Sequence, residues 1–344
     1  MTGGGGMAER RVLILGGCGF IGSNFIQHLH QQQPETHITI FDLLTYAGSL
    51  DNLGELTESP SVDFVQGDLA EADDFAKLSD NYDLAINFAA ETHVDRSLYD
   101  ADRFVRSNVL GVVNLLLWCR ERELPLLQIS TDEVYGPARD HQSFDETAPL
   151  NPTSPYAASK GAADLMVQTA VKTFGQQAAI VRTCNNYGPR QYPEKLIPFC
   201  IHRARQGLAL PLYGNGRQRR CWLRVEDFCA ALLRVIADFP TGEVINIGSD
   251  SERENVAVVE QIRQQIGGSA EIEFVADRPG HDHLYRISSA KFVKRYGEIP
   301  QRAFESGLRE TIDWYQANPG IFQRLSDSAT QTFFEQHYQQ PDKP

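Results

Sequence analysis

Three glycines, spaced three residues apart, follow a short apolar run near the start of the chain. The run is RVLIL at Arg11–Leu15, and Gly16, Gly19 and Gly22 lead from it into a segment with helical periodicity. Glycines at such a turn let a pyrophosphate approach the backbone at the helix N-terminus. Asp42 ends the next apolar run, about 20 residues after the last glycine, where a carboxylate binds the ribose hydroxyls of NAD and repels the extra phosphate of NADP. The pattern therefore predicts a turn that binds NAD.

The first half of the chain alternates apolar runs with amphipathic segments. The predicted strands are Arg11–Leu15, His37–Phe41, Val62–Val65, Leu84–Phe88, Leu126–Ser130 and Ala179–Arg182. The predicted helices between them are Phe20–Gln32, Phe104–Glu123 and Ser154–Phe174. Strands that alternate with helices of this length predict an α/β fold with a Rossmann-type, doubly wound parallel sheet.

The character of the sequence changes between Pro189 and Pro211, where turn-forming residues are frequent. We predict a flexible leader at 1–10, an NAD-binding domain at 11–188 whose last elements are completed by later segments, and a smaller C-terminal α/β lobe at 189–344. The elements predicted in that lobe are strands at Val244–Ile247 and Ile272–Val275, and helices at Val256–Ile266, Ala290–Tyr296 and Glu305–Ala317.

Composition limits the classes of partner. The formal net charge is -13 and the chain has no long cluster of Lys and Arg, so we expect no nucleic-acid partner. No apolar run approaches the roughly 20 residues of a membrane-spanning helix, so we expect no membrane partner. The first residues, MTGGGGMAERR, lack the apolar core of a secretory signal, which favours a cytoplasmic location. Six cysteines without a CxxC pair predict neither a disulfide framework nor a metal site.

A second motif combines a phenol with an ammonium group. Tyr156 and Lys160 are four residues apart in a predicted helix and therefore lie on one helix face. There the cation lowers the pKa of the phenol, so that a tyrosine can act as a base near neutral pH. The sequence Ser130-Thr131-Asp132-Glu133 ends a predicted strand at the carboxyl edge of the sheet, where such folds bind their ligands.

These motifs occur in an order that resembles the extended short-chain dehydrogenase/reductase family: GGCGFIG, then Asn108 in a predicted helix, then YxxxK. Five further stretches are similar to one group within it, the nucleotide-sugar 4,6-dehydratases that act on dTDP-glucose. They are FDLLTYAGSLDNL, AAETHVDRS, STDEVYG, NNYGPRQYPEKLIP and VADRPGHD. The resemblance extends from Arg11 to the C-terminal FFEQHY and so covers nearly the whole chain.

The resemblance implies a reaction in three steps: oxidation of the sugar at C4, loss of water across C5 and C6, and return of the hydride to C6. It assigns Tyr156 as the base for the 4-hydroxyl, tuned by Lys160, with Thr131 bonded to the same oxygen. It assigns Glu133 as the base that removes the C5 proton and Asp132 as the acid that protonates the departing 6-hydroxyl. Two adjacent carboxyl groups with opposite duties require pKa values that are pushed apart.

The resemblance also implies the binding residues and the assembly. For NAD, the expected residues are Gly16, Gly19, Phe20, Ile21, Gly22, Asp42, Asp68, Leu69, Ala89, Tyr156, Lys160 and Asn185. For the nucleotide sugar, they are Thr92, Asn186, Glu194, Lys195, Leu196, Pro211, Tyr213, Arg220, Asn255, Arg278 and His281, most of them in the C-terminal lobe. Family members pair through two long helices, so we expect a homodimer through Phe104–Glu123 and Ser154–Phe174.

Several alternatives stay open at the level of sequence. Asp68 is either an adenine contact or a helix cap, and His93 is either a polar core residue or a site residue. Among the residues that depart from the family pattern, Cys221 stands for an Asp, Arg224 for an aromatic residue and Arg286 for an Ala. The changes at 221 and 224 either alter the preferred nucleotide sugar or face away from it.

Two rival functions also remain. A 4-epimerase or decarboxylase of the same fold would use NAD and Tyr156 but would leave Asp132 and Glu133 without a role. A scaffold that holds NAD without catalysis would need none of the five predicted catalytic residues.

Overall fold

A computed structural model of the chain describes residues 10–326. The first nine residues of the predicted leader, and the motif FFEQHY, lie outside the described residues. Within them the chain forms two compact units, of which the first comprises 10–130, 159–181 and 233–244 and the second comprises 131–158, 182–232 and 245–326. This division differs from the boundary expected at 188, because 131–158 group with the second unit.

The strands and helices are numbered in chain order. The strands are β1 Arg11–Leu15, β2 His37–Asp42, β3 Val62–Gln66, β4 Leu84–Asn87, β5 Leu126–Thr131, β6 Ala178–Thr183, β7 Asn185–Tyr187, β8 Leu210–Tyr213, β9 Arg219–Arg224, β10 Val244–Ile247, β11 Glu252–Glu254, β12 Ile272–Val275 and β13 Leu284–Tyr285. The helices are α1 Phe20–Gln32, α2 Val94–Ser97, α3 Ala101–Val105, α4 Gly111–Glu121, α5 Pro155–Phe174, α6 Leu196–Arg205, α7 Val225–Ala237, α8 Asn255–Ile266, α9 Ala290–Tyr296 and α10 Phe304–Ala317. No described helix is both long enough and apolar enough to cross a bilayer.

A seven-stranded sheet in the order β10-β6-β5-β4-β1-β2-β3 confirms the predicted α/β, Rossmann-type architecture. The ladders that join β3, β2, β1, β4 and β5 are all parallel. Both faces of such a sheet are covered, so its central strands are buried along their length: every residue of β5 and β6 is buried. The strand order reverses between β1 and β4, and open α/β sheets bind ligands at the carboxyl end of such a switch point.

The segment predicted as a helix at Phe104–Glu123 is helical as far as Glu121, but it contains a π-helical turn that the sequence did not predict. The α3 helix ends at Val105, a π-helical turn covers Arg106–Leu110, and α4 begins at Gly111. The Asn108 amide in the turn bonds the backbone of Glu91, which is distant in sequence, rather than solvent.

The second unit is built around β9. The β11 strand pairs with β9 antiparallel, β7 and β13 pair with it parallel, and a separate parallel pair joins β8 and β12. The apolar faces of α6, α8 and α10 pack together in its core through buried residues such as Ile201, Ile262 and Leu308. This unit carries most of the residues predicted to bind the sugar.

Gly16 should resist substitution more than a glycine of positive φ that has open space around its added Cβ. Its φ is +73°, and a Cβ there would lie 2.4 Å from the Ala89 nitrogen, a backbone atom that cannot yield. Gly16→Ala should therefore lower the free energy of unfolding by roughly 3 kcal/mol or more, as measured by guanidinium titration.

Gly54→Ala is the matched control, because Gly54 has φ +59° with nothing within 4 Å of the added Cβ. Only the backbone strain applies there, so the loss should be about 1–2 kcal/mol. Equal losses in the two variants would contradict the role given to the contact between Gly16 and Ala89.

Candidate functional site

The glycine turn leaves a helix end uncapped. Gly16 and Gly22 pack against backbone: a Cβ at Gly22 would lie 2.4 Å from the Gly16 carbonyl oxygen. Gly19 differs, because its Cβ would meet only that same oxygen, at 3.4 Å. Gly19 is the N-cap of α1 and provides no side-chain cap, so the first N–H groups of the helix, beginning with Phe20 and Ile21, are free to face an anion.

Asp42 has a structural role that the sequence did not reveal. Its Oδ2 accepts the Cys18 N–H at 2.9 Å and its Oδ1 accepts the Leu44 N–H at 2.8 Å, so the carboxyl joins the end of β2 to the glycine turn. Burial raises the pKa of Asp42, although the two N–H groups act in the opposite direction. Each oxygen keeps lone-pair capacity for a further donor, such as a ribose hydroxyl.

The remaining predicted residues of the first unit lie around the carboxyl ends of β1, β3 and β4. Ala89 follows β4, and its backbone lies against Gly16. Leu69 is buried in the core, whereas Thr92 is exposed. Asp68 accepts the Ala70 N–H at 2.8 Å within a turn, whereas the N-cap of the following 3-10 helix is Glu71, so Asp68 is not a helix cap. His93 is buried and caps α2 by accepting the Arg96 N–H, which favours its interpretation as a structural residue.

Lys160 is buried and held by the end of β5. Its Nζ donates to the Ile129 carbonyl oxygen at 2.8 Å, and burial lowers its pKa to about 8. The residue before it, Ser159, accepts the Asn108 Nδ2 at 2.9 Å. Tyr156 is the second residue of α5, one helical turn before Lys160, and is buried.

The two predicted carboxyl residues follow β5 in a short 3-10 turn, Asp132–Tyr135, capped by Thr131. The Thr131 hydroxyl accepts the Glu133 N–H and donates to Asp132 Oδ1, both at 3.3 Å. Burial raises the pKa of Asp132 to about 7, and the neighbouring Glu133 contributes in the same direction. Asp132 Oδ2 accepts no hydrogen bond from the described residues.

Glu133 differs from Asp132 in the number of cations near it. Burial raises its pKa as well, but the charges of Arg220, Arg278 and Lys195 all act to lower it. For Asp132, the charge of Arg220 is the only one among the main neighbouring charges of the described residues that acts to lower the pKa. The arrangement therefore favours a protonated Asp132 beside a more acidic Glu133, the separation of pKa values that an acid and a base require.

Arg220 is buried and makes contacts within the second unit. It donates to the carbonyl oxygens of Arg219 at 2.7 Å and Asp282 at 3.1 Å, and lies over the Tyr285 ring at 4.4 Å. His281 Nδ1 bonds Asp277 at 2.6 Å and its ring meets the edge of Tyr213. These contacts fix the side chains that the sequence predicted to face the substrate.

Three predicted ligand-binding amides have a buried oxygen without a hydrogen-bond partner among the described residues. They are Asn185, Asn186 and Asn255. The Asn186 nitrogen is occupied by Thr183 and by the Cys184 carbonyl, which leaves its oxygen as the free group. A buried polar atom without a partner costs free energy, so these atoms fit a site that is completed by a polar ligand.

The other predicted substrate residues lie on three segments of the second unit. Glu194 is buried, Lys195 is the N-cap of α6 and Leu196 begins that helix. Pro211 and Tyr213 lie on β8. Arg278 follows β12 and is close enough to influence the charge of Glu133.

The departures from the family pattern have structural explanations. The Arg224 Nη2 atom bonds Glu310 at 2.7 Å and Glu226 at 3.2 Å, so this arginine joins β9 to α7 and α10. Cys221 and Arg286 line one cavity of about 640 Å³, where Arg286 pairs with Glu252. For Arg224 these contacts favour the interpretation in which the side chain does not meet the sugar.

Two further buried residues contact neighbours of the predicted site residues. Asn108, which belongs to the family pattern, binds both Glu91 and Ser159. Arg182 precedes the last residue of β6 and is nearly fully buried. The sequence motifs did not identify Arg182, although a charged residue at the end of an apolar run was an available signal.

Residues 13–311 match the profile of the GDP-mannose 4,6 dehydratase family. The chain belongs to this family. The protein Agl12 of Haloferax volcanii, named for low-salt glycan biosynthesis, is 47% identical to it over 306 residues, or 88% of this chain and 98% of Agl12. A dTDP-glucose 4,6-dehydratase of Actinoplanes is 41% identical over 315 residues, or 90% of this chain and 98% of that enzyme.

Among solved structures, the dTDP-glucose 4,6-dehydratase DesIV of Streptomyces venezuelae, with NAD bound, matches with a TM-score of 0.87 at 39% identity. The match covers 90% of this chain and 98% of that one. These findings confirm the resemblance that the sequence motifs indicated.

In this family member the raised pKa of Asp132 should make stability depend on pH. The folded state keeps a proton up to about pH 7, whereas the unfolded carboxyl loses it near its ordinary pKa of 3.8. Stability contributed at this position therefore falls as the pH rises from about 4 to about 7. Asp132→Asn removes this dependence. The free energy of unfolding of the variant minus that of the parent should therefore rise by on the order of 2–3 kcal/mol between about pH 5 and pH 7.5.

Asp145→Asn is the control, because the pKa of the exposed Asp145 is lowered by its bonds to Thr147 and the sign of its pH dependence is opposite. Denaturant titrations at both pH values give the comparison. A constant difference between the parent and Asp132→Asn would overturn the raised pKa of Asp132.

Proposed function

We propose that the chain dehydrates a nucleotide-activated hexose, converting dTDP-glucose to dTDP-4-keto-6-deoxyglucose with tightly bound NAD. The observation that carries the proposal is a pair of adjacent carboxyl residues with different charges around them, the buried Asp132 and the partly buried Glu133. The dTDP-glucose 4,6-dehydratases among the relatives support this choice of substrate.

The residues of the first unit suit the cofactor. The uncapped start of α1 fits a pyrophosphate, and Asp42 has lone pairs left for a ribose hydroxyl. NAD, when bound, supplies the acceptor for the C4 hydrogen and later returns it to C6. Because the cofactor is regenerated in every turnover, it acts as a catalyst rather than a second substrate.

The side chains move the protons. Tyr156 takes the proton of the 4-hydroxyl, and Lys160 favours the phenolate through its charge. The Thr131 hydroxyl exchanges its bond to Asp132 Oδ1 for a bond to the same sugar oxygen. Once C4 is a ketone, Glu133 removes the acidified C5 proton. Asp132 then gives its proton to the 6-hydroxyl, which leaves as water, and the pKa of about 7 suits this transfer near neutral pH.

The buried acid separates this function from its rivals. A 4-epimerase returns the hydride to C4 and has no departing hydroxyl to protonate, so it gains nothing from a carboxyl kept neutral by burial. A scaffold gains nothing from either carboxyl, and burying both without a ligand to bind would only cost free energy.

The reaction predicts a specific isotopic product. Protein incubated with dTDP-glucose in D₂O should yield a sugar lighter by one water that carries one solvent deuterium, at C5, because the C6 hydrogen comes from C4 without exchange. Mass spectrometry and NMR of the product measure both features. Glu133→Gln and Tyr156→Phe should each reduce the rate by about 10²–10⁴-fold.

Glu273→Gln is the matched control for Glu133→Gln, because Glu273 is an exposed residue of β12 and its substitution should leave the rate unchanged. An epimerised product of unchanged mass without deuterium would replace the dehydratase with the epimerase. No turnover in any variant or in the parent would favour the scaffold.

We further propose that two copies associate through apolar residues exposed on helices of the first unit. Val105, Leu110 and Leu117 lie on or beside the π-helical turn and α4, and Leu165 and Met166 lie on α5; each is between 38% and 55% exposed. Exposed apolar side chains that form one patch on a surface are typical of an interface, and we infer that these two helical segments share such a patch.

Leu117→Glu combined with Met166→Glu should separate the copies, because charges placed at such an interface lose hydration without gaining partners. Light scattering after gel filtration should change from twice the chain mass to the chain mass. Leu208→Glu is the control, since Leu208 is 43% exposed in the second unit and should leave the mass unchanged. A parent protein that is already monomeric would rule out the dimer.

We also propose that the protein is located in the cytoplasm. The six cysteines are all free and buried, as is typical of a chain kept in a reducing compartment.

A further inference from the structure

Arg182 is a charged residue in a buried strand, at a position where an apolar residue is usual. It lies near the carboxyl end of β6 and is 1% exposed, although every other residue of that strand before it is apolar. Burying an arginine costs several kcal/mol unless its donors are satisfied. The contacts of its guanidinium therefore indicate what the residue does.

The guanidinium is directed at Tyr135. Its Nη1 donates to the Tyr135 hydroxyl at 2.7 Å, and its Cζ lies 4.7 Å from the centre of the Tyr135 ring. A phenol that accepts a charge-assisted bond is held more firmly than one that bonds a neutral donor. Arg182 thus fixes both the hydroxyl and the ring of one residue.

Tyr135 is held from other directions as well. Its hydroxyl donates to Asn246 Oδ1 at 3.0 Å, and its ring stacks on Phe144 with centroids 5.5 Å apart and planes at 15°. Asn246 is itself fixed, because its N–H donates to Glu146 at 2.8 Å and its Nδ2 donates to the Phe144 carbonyl at 3.2 Å. The donors and acceptors form a connected network with Tyr135 at its centre.

Tyr135 is the last residue of the turn that carries the two carboxyls. Thr131 caps the start of this turn through its bond to the Glu133 N–H, and Tyr135 anchors its end. Between these two anchors there are only three residues, so a displacement of Tyr135 moves the backbone of Glu133. The charges that act most on Asp132 are those of Glu133 and Arg220, so Arg182 acts on the carboxyls through position rather than through its field.

We propose that Arg182 is a positioning residue which, through Tyr135, fixes the turn that presents Asp132 and Glu133 for elimination. The inference rests on the proposed dehydration and adds to it a residue that does not touch the sugar. Elimination needs the two carboxyls placed to within a fraction of an ångström, since a 1 Å displacement can cost about 10²-fold in rate.

The test uses the variants Arg182→Met, Arg182→Lys and Tyr135→Phe in the full-length protein. Arg182→Met should lower kcat for dTDP-glucose by roughly 10–100-fold with a change in KM of less than about 3-fold, because the nucleotide contacts are unaffected. Arg182→Lys keeps a donor for the Tyr135 hydroxyl and should recover part of the loss. Tyr135→Phe keeps the ring in its stack and removes only the bonds, so it tests the network even where Arg182→Met folds poorly.

Two further measurements separate positioning from general destabilisation. The double variant Arg182→Met with Tyr135→Phe should be no slower than Arg182→Met, because both changes break one linkage. Arg203→Met is the matched control: this arginine also lies over an aromatic ring, Phe199 at 5.6 Å, and bonds the Ala209 carbonyl, so its loss should lower stability without changing kcat.

The outcomes distinguish the two proposals. A parent protein that dehydrates dTDP-glucose, together with an Arg182→Met variant of unchanged kcat, would overturn the positioning role and leave the function intact. A loss in Arg182→Met that appears wholly in KM, or that Arg203→Met reproduces, would also overturn it. A parent that makes no dehydrated sugar would overturn the function and the inference together.

Discussion

The second unit holds two adjacent carboxyl groups away from bulk water, Asp132 fully and Glu133 in part. Burial alone would raise both pKa values together and leave two neutral acids. The structure separates them by giving Glu133 three cations and Asp132 one, and by leaving Asp132 Oδ2 without a donor. Much of the local architecture, from the capping threonine to the buried Arg220, serves to place charge around this pair.

Local patterns predicted most of the fold, because periodicity is a property of neighbouring residues. The α1 helix and the strands β1, β10 and β12 have the bounds that the sequence indicated. The π-helical turn inside the helix predicted at Phe104–Glu123 was missed for the opposite reason, since its Asn108 bonds Glu91, which lies 17 residues away in the sequence.

For the candidate site, too, the sequence identified the residues that lie in local motifs and missed those whose partners are distant in the chain. Motifs such as GGCGFIG, STDEVYG and YxxxK drew attention to Gly16, Glu133 and Tyr156 because reacting groups cluster at short spacing. Arg182 has no such signature: its partner Tyr135 is 47 residues away, and only the folded chain brings the two together. Arg224 shows the same limit, since its partner Glu310 is far along the chain and the ion pair cannot be inferred from the segment that contains the arginine.

The π-helical turn at Arg106–Leu110 determines how its segment tolerates a change of length. Such a turn contains one residue more than a turn of α-helix, and each residue of an α-helix advances about 100° around the axis. Asn108 is buried in this turn while Val105 before it and Leu110 at its end are exposed. Deleting one residue here would convert the turn to regular α-helix and leave α4 near its present face, because the residue removed is the additional one. An insertion would instead rotate α4 by about 100° away from that face. The segment should therefore accept a single deletion more readily than an insertion.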